Sequence, residues 1–238
     1  MARQAVAPLT STRLRWNWRW LPLLAAGLIF LGILLFATLR PIKVLPRMRL
    51  SPSFALIDQA GRKLTSEDLR GQVVLYGFGY SRCGASCSQV EHAMRGVQRQ
   101  LLRGAAAGVP VRMVLISVDP EVDDATALSA YADRLGADPE RWRFATGAPA
   151  SLKQTVGGGF EVFYGTGADG QLRLDPALVL VDGAGIIRRE YRAHDVGGLP
   201  DADRLMSHIA LLQEEARGSE GLGRLAYEAA HLFVCYAP

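Results

Sequence analysis

The chain has 238 residues, 49% of them hydrophobic and 21% charged, with 25 glycines, 12 prolines and 3 cysteines. This composition excludes a disordered, collagen-like or disulfide-scaffold protein and suits one domain of ordinary size with additions. The net charge of +4 comes from the start of the chain: residues 1–50 hold Arg3, Arg13, Arg15, Arg19, Arg40, Lys43, Arg47 and Arg49 and no acidic residue. The remainder is mildly acidic and has no basic stripe, which argues against nucleic-acid binding.

In chain order, a basic N-terminal arm (1–20) leads into Leu21 to Leu39, 19 residues without a charge. As a helix this stretch spans about 28 Å, close to the hydrocarbon thickness of a bilayer. Trp16, Trp18 and Trp20 precede it as an interfacial aromatic belt would. A core helix would show a polar face, and a cleaved signal peptide a small-x-small site; the stretch has neither. It is therefore expected to be a transmembrane helix. Flanking charges are nearly balanced and do not orient it. Residues 40–52 read as a proline-containing linker.

The globular part is expected over residues 53–217. Ser53 to Ile57 and Lys63-Leu64 flank the turn Gln59-Ala60-Gly61 as a hairpin. Ser66, Glu67 and Asp68 begin a short helical turn. Val73 to Phe78 is apolar on both faces, the pattern of a central strand covered on both sides. After Ser81 the period becomes helical, with Val90, Met94, Val97, Leu101 and Leu102 on one face and an end near Gly104. Val111 to Val118 is a second apolar strand. Asp123-Asp124 cap a helix reaching Leu135, Trp142 to Ala145 is a third strand, and Pro149 to Val156 a short helix. Leu178 to Val181 and Gly185 to Tyr191 form a closing hairpin, and Asp201 to Glu215 an amphipathic helix. Strands alternating with helices predict a mixed α/β sheet.

Cys83 and Cys87 fall where the strand pattern of Val73 to Phe78 gives way to the helix, one helical turn apart. Sulfurs so spaced can share a metal or approach a disulfide. Unpaired N–H groups at a helix start favour thiolate, most of all at the first cysteine. Spacing alone leaves thiol–disulfide exchange and metal binding open. Soft thiolates select Cu(I), and two suffice for a linear site.

At these residues the chain resembles the Sco/SenC family, membrane-anchored thioredoxin-fold proteins that handle copper in assembly of cytochrome c oxidase. The resemblance rests on Phe54-Ala55-Leu56-Ile57-Asp58-Gln59-Ala60-Gly61, Phe78-Gly79-Tyr80-Ser81-Arg82-Cys83, Ser117-Val118-Asp119-Pro120-Glu121, Phe160-Glu161-Val162-Phe163-Tyr164 and Leu180-Val181-Asp182-Gly183-Ala184-Gly185, in that order. It covers roughly residues 50 to 215. It implies a thioredoxin-like fold anchored to a membrane; the N-terminal transmembrane helix and a C-terminal helical extension, both outside the region of resemblance, are read from the residues themselves. It also implies Cys83 and Cys87 as redox pair and copper ligands. Expected partners are an oxidase subunit or its copper site, other thiol redox proteins, and the membrane. The family places its domain outside the cytoplasm, so the N-terminus is expected inside the cell membrane and the domain in the periplasm. Two departures stand out. Gly84 and Ser88 occupy positions where the family has proline, and Leu174 aligns with the family's copper-binding histidine.

That substitution shifts the expectation from Cu(II) binding toward thiol–disulfide oxidoreductase chemistry, with Cu(I) as the copper form. Pro176, in Asp175-Pro176-Ala177-Leu178, is expected to act as the cis-proline that faces the cysteines in thioredoxins. His92 lies well around the helix from Cys87 and reads as a solvated helix-face residue, His208 carries no signal, and His194, in the loop Ala193-His194-Asp195, either approaches the cysteines or is exposed. Glu91 and Asp119 are candidate proton acceptors during exchange. The tail, 218–238, reads as a helix in which His231 and Cys235 stand four residues apart. They are candidate ligands replacing what Leu174 removes, or Cys235 a resolving thiol. The alternatives to an exchange protein are a non-enzymatic Cu(I) metallochaperone and a scaffold that binds an oxidase subunit.

Overall fold

A computed structural model of the chain describes residues 20–39, 42–104, 108–195, 197–218 and 221–233. Contacts divide it into two units, Met1–Pro41 and Ile42–Pro238. In the first, helix α1 (Leu21–Leu39) forms over the uncharged stretch, with Leu28, Ile29 and Phe30 fully outward. Thr38 donates its hydroxyl to the Leu34 carbonyl at 2.9 Å, which satisfies that polar group within the helix. Among the described residues no helix is long and apolar enough to cross a membrane. Apart from Trp20, the arm expected over 1–20 lies outside the described residues, as does Cys235.

The second unit is built on an eight-stranded sheet. Its strands are β1 (Arg49–Leu50), β2 (Ala55–Asp58), β3 (Lys63–Thr65), β4 (Val73–Gly79), β5 (Val111–Ser117), β6 (Trp142–Thr146), β9 (Ala177–Val181) and β10 (Ile186–Arg192), in the spatial order β1-β10-β9-β4-β5-β6-β2-β3. A separate hairpin pairs β7 (Tyr164–Thr166) with β8 (Leu172–Leu174). β4 runs parallel to β5, and β5 to β6, while β9 is antiparallel to β4. The helices are α2 (Ser88–Leu102), α3 (Ala125–Leu135), α4 (Pro149–Leu152), α5 (Ala202–Arg217) and α6 (Gly221–Leu232). This mixed α/β arrangement is the expected thioredoxin-like one.

All seven residues of β4 are buried, which is why its sequence is apolar throughout rather than alternating. Val73 and Leu75 join the core beneath α2, α3 and α5, and Val74, Tyr76 and Phe78 join the core on the opposite face. Gly77 lets α2 approach the sheet: a Cβ there would lie 2.5 Å from Met94 Sδ and 3.0 Å from Val90 Cγ1. Asp124 caps α3 by accepting the Ala127 N–H at 2.8 Å, and Gly136, at φ +63°, closes it. Asp123 does not share that capping role. The helix expected from Pro149 is α-helical only to Leu152 and continues as a π-helical turn over Lys153–Gly159. The hairpin β7–β8 is too short and irregular to have left a strand signal.

Behind β10, a single buried guanidinium ties three segments together. Arg188, 2% exposed, donates to Asp182 at 2.9 Å, to Glu215 at 2.7 Å and to the carbonyls of Leu45 and Pro46. Glu215 also accepts from His231 at 3.2 Å and pairs with Arg47 at 3.3 Å. Burial by itself would push the Glu215 carboxyl up, but the Arg188 hydrogen bond and charge, aided by His231, outweigh it and hold the carboxyl below its ordinary value. A carboxyl lowered on folding contributes stability above its unfolded value of about 4.3, and that contribution is lost as pH falls through the folded value. Glu215→Gln is therefore expected to lower the thermal midpoint at pH 7. It should also flatten the fall of that midpoint between about pH 5 and 3 seen in the parent protein. Calorimetry across that range checks it; an acid sensitivity identical to the parent's would remove Glu215 from the account.

Candidate dithiol site

The site grows from the C-terminal end of β4. The chain leaves the sheet at Gly79, turns through Tyr80-Ser81-Arg82, and enters a 3-10 turn over Gly84–Cys87 before α2 begins at Ser88. Cys83 and Cys87 are joined as a disulfide, with Cα atoms 5.6 Å apart. Cys87, rather than Cys83, is the residue at the N-terminus of α2 itself; Cys83 sits one tight turn earlier. Gly84 adopts φ +61°, a conformation closed to proline, whose ring fixes φ near −65°. The glycine found where the resemblance leads one to expect proline thus goes with a different backbone path between the cysteines.

The two sulfurs differ in access. Cys83 lines a cavity of about 730 Å³ together with Tyr80, Asp119, Leu172, Leu174 and Asp175, whereas Cys87 is 1% exposed behind it. Tyr80 closes one side by donating its hydroxyl to the Leu172 carbonyl at 2.7 Å. Leu174 is buried in the same apolar cluster as both cysteines. Leu174, at the position where the resemblance leads one to expect an imidazole, lines the same cavity as Cys83 with a hydrocarbon side chain.

Asp123 holds the cysteine loop in place. It is fully buried and accepts the Ser81 N–H at 2.8 Å, the Ser81 hydroxyl, and the Ser117 hydroxyl at 2.5 Å. One carboxylate thus clamps the loop after β4 to the end of β5. Nothing in the sequence singled it out: its partners are 42 and 6 residues away, and its neighbour Asp124 has the helix cap. Asp119 faces the cavity and pairs with Arg82 at 2.9 Å. Glu91 is engaged by the Tyr131 hydroxyl at 2.7 Å. Burial, then the hydrogen bond to Glu91, push the Tyr131 phenol far up, so it stays protonated at any physiological pH.

The expectation at Pro176 is corrected. No peptide bond among the described residues is cis, so Pro176 is not a cis-proline. It stands instead as the extended residue before β9, where its carbonyl accepts the Ala193 N–H at 3.0 Å and continues the β9–β10 ladder. His92 and His194 are exposed. His208 is buried with its Nδ1 2.5 Å from the Tyr191 hydroxyl. His231 belongs to the Glu215 cluster described above, and Cys235, its proposed co-ligand, lies outside the described residues. Among the described residues, no group of three or more His, Cys, Asp or Glu side chains is placed to hold a metal ion. The chemistry of the donors on hand is two sulfurs, which suits two-coordinate Cu(I) and does not suit Cu(II).

Comparison with known proteins gives a consistent picture. The family model described as SCO1/SenC matches residues 43–197. The SCO1 protein homolog of Bacillus subtilis is 32% identical over 124 residues, 52% of this chain and 62% of that protein. The chain spans between 29% and 62% of the length of the curated relatives it matches. Among solved structures, ScoI of Bradyrhizobium japonicum with copper bound superposes with a TM-score of 0.56 at 23% identity, covering 68% of this chain and 99% of that one. BsSco, a member of the Sco family of cytochrome c oxidase assembly proteins in which a disulfide switch was identified, gives 0.60 at 22% identity, covering 73% and 98%.

Asp123→Ala would leave the Ser81 N–H and two hydroxyls without their acceptor. It is expected to destabilise the folded state by about 3 kcal/mol and, in the reduced protein, to speed alkylation of Cys83 as the loop loosens. Urea unfolding with parallel alkylation kinetics checks both; unchanged stability would mean the carboxylate is dispensable.

Proposed function

The chain belongs to the SCO1/SenC family, and from that premise we propose that it is a membrane-anchored, extracytoplasmic thiol–disulfide exchange protein. It acts on the copper site of a terminal oxidase, or on the thiols that form it, and handles copper only as Cu(I). The observation that carries this reading is the asymmetric disulfide: Cys83, 9% exposed, lines a cavity that Leu174 also lines, whereas Cys87 is 1% exposed and does not reach it.

Exchange runs as follows. In the reduced protein the Cys83 thiolate attacks one sulfur of a partner disulfide, forming a mixed disulfide and releasing the partner's other sulfur as a thiolate. Cys87, having lost its proton, then attacks Cys83 Sγ. The Cys83–Cys87 bond forms, the partner leaves as a dithiol, and two electrons and two protons have passed to it. A separate thiol protein of lower potential returns the pair to its reduced form. Cys83 is suited to the first attack because it alone of the two reaches the cavity. Cys87 is suited to the second because burial keeps outside thiols and water from it.

Copper enters as cargo. Two thiolates would hold Cu(I) linearly, and Leu174 leaves Cu(II) without the imidazole that hard, oxidised copper favours. The reduced protein is expected to bind one Cu(I), with Cys83→Ser and Cys87→Ser each abolishing it. Cu(II) should bind weakly, and Leu174→His should strengthen it and bring up an intense thiolate-to-copper absorption. Spectroscopic titration of the reduced protein decides; firm Cu(II) binding by the parent protein would overturn the two-sulfur site.

The anchor is part of the same proposal. The uncharged helix α1 and the tryptophans before it support insertion of Leu21–Leu39, and the extracytoplasmic placement expected of the family puts the domain on the far face. Full-length protein is expected to remain with membranes through high salt and carbonate. Its recovery intact in the soluble fraction would end the anchored reading.

A further inference from the structure

The pair formed by buried Tyr131 and half-buried Glu91 is left unused by the exchange just described, and the Tyr131 hydroxyl borders the same glycine as the inner sulfur. Tyr131, on α3, is 0% exposed and donates its hydroxyl to Glu91 Oε1 at 2.7 Å. Glu91 stands one helical turn beyond Cys87 on α2. Between them and β4 lies Gly79, the last residue of the strand. A Cβ on Gly79 would be 3.3 Å from the Tyr131 hydroxyl oxygen, 3.5 Å from Cys87 Sγ and 3.6 Å from a Leu115 methyl. Phenol oxygen and sulfur therefore border the same small space, which is open because the strand ends in glycine. The charged groups near the phenol are Glu91, Arg134, whose guanidinium lies 4.7 Å over the ring, and Asp123, already occupied by Ser81 and Ser117.

We propose that Gly79, Tyr131 and Glu91 form a positioning site for the reduced Cys87 sulfur and thereby set the redox poise of the pair. In the disulfide, Cys87 Sγ carries no hydrogen and is held by its bond to Cys83. On reduction by a dithiol or by glutathione, the S–S bond breaks and each sulfur gains one proton and one electron. Two unbonded sulfurs cannot remain at bonding distance. The Cys87 side chain then turns toward the hollow over Gly79, and its S–H donates to the Tyr131 oxygen. That oxygen is a good acceptor because its own proton is committed to the Glu91 carboxylate, which polarises the chain S–H to O–H to carboxylate. The reduced state gains a hydrogen bond that the oxidised state lacks, so the pair is reduced more readily than an apolar pocket would allow. This inference rests on the exchange reading above and specifies how the inner cysteine takes part in it.

The experiment equilibrates full-length protein in detergent, carrying Cys235→Ser so that the pair alone titrates, with glutathione redox buffers, and counts trapped thiols. A hydrogen bond of ordinary net strength predicts that Tyr131→Phe lowers the equilibrium constant for reduction about three- to tenfold. By the two-electron conversion of 29.6 mV per tenfold, the potential moves more negative by roughly 14–30 mV. Gly79→Ala, which fills the hollow while leaving the phenol, should shift it in the same direction, and Glu91→Gln in the same direction by less. A merely structural role for the ring would change the unfolding midpoint of both redox forms alike and leave the potential in place. Unchanged potentials in folded Tyr131→Phe and Gly79→Ala proteins, or a shift toward easier reduction, overturn the proposal. Should Tyr131→Phe fail to fold, the Gly79→Ala and Glu91→Gln proteins decide by the same criterion. If the parent pair is never reduced by glutathione or dithiothreitol, the exchange reading itself fails, and that result is distinct from a pair that exchanges with its potential insensitive to these residues.

Discussion

The geometry of the site depends on one carboxylate that water does not reach. Asp123 accepts three hydrogen bonds from Ser81 and Ser117, and without them a buried charge would cost several kcal/mol. With them it becomes a clamp. The loop that leaves β4 is pinned to the end of β5, and the chain can turn only one way into the 3-10 segment that carries both cysteines. Arg134, donating to the Ser81 carbonyl at 2.9 Å, secures the same residue from α3. Loops that bear reactive groups are usually the mobile parts of a domain; here the residues just before Cys83 are fixed on two sides, and the reactive sulfur stands on an anchored base.

Glycine supplies the second constraint. β4 is packed on both faces, and α2 must lie close to it to deliver Cys87 beside Cys83. At Gly77 there is no room for even a methyl against Met94 and Val90. Two residues on, Gly79 leaves a hollow next to the Cys87 sulfur. Gly84 then takes a left-handed turn that lets the chain fold back over four residues to bring the sulfurs together. Three glycines thus do different things within eight positions: close helix packing, space for a sulfur, and reversal of the backbone.

The relation to copper follows from one side chain and its surroundings. Leu174 lies in the apolar cluster that also contains Phe78, Tyr164 and both cysteines. An isolated change of ligand to leucine would expose hydrocarbon in a polar cavity, but here the residue packs into a continuous core and is 7% exposed. The dithiol is thus left with sulfur donors on an apolar floor and with charged residues, Arg82 with Asp119 and Arg173 with Asp169, around the cavity.

Much of this was legible along the chain. The apolar run of β4, the helical period of α2, the uncharged stretch of α1 and the position of the cysteines between strand and helix are local patterns, set by two- and 3.6-residue periodicities that need no knowledge of the rest of the fold. The order of weak motifs sufficed for the family. What the sequence could not decide were pairings across space. Asp123 and Asp124 are adjacent acids, yet one is a helix cap and the other a buried clamp, because only folding brings Ser81 to the first. Pro176 sits two residues after a position that does adjoin the dithiol, but the ladder between β9 and β10 draws it into a trans, extended strand start. Tyr131 reads in sequence as one apolar position of α3 among several, and it meets Glu91 only when α3 and α2 pack on the same face of the sheet. Local periodicity determined the elements and the sulfurs; long-range packing alone decided which polar groups surround those sulfurs, since contacts between residues about forty positions apart leave no periodic trace in either segment.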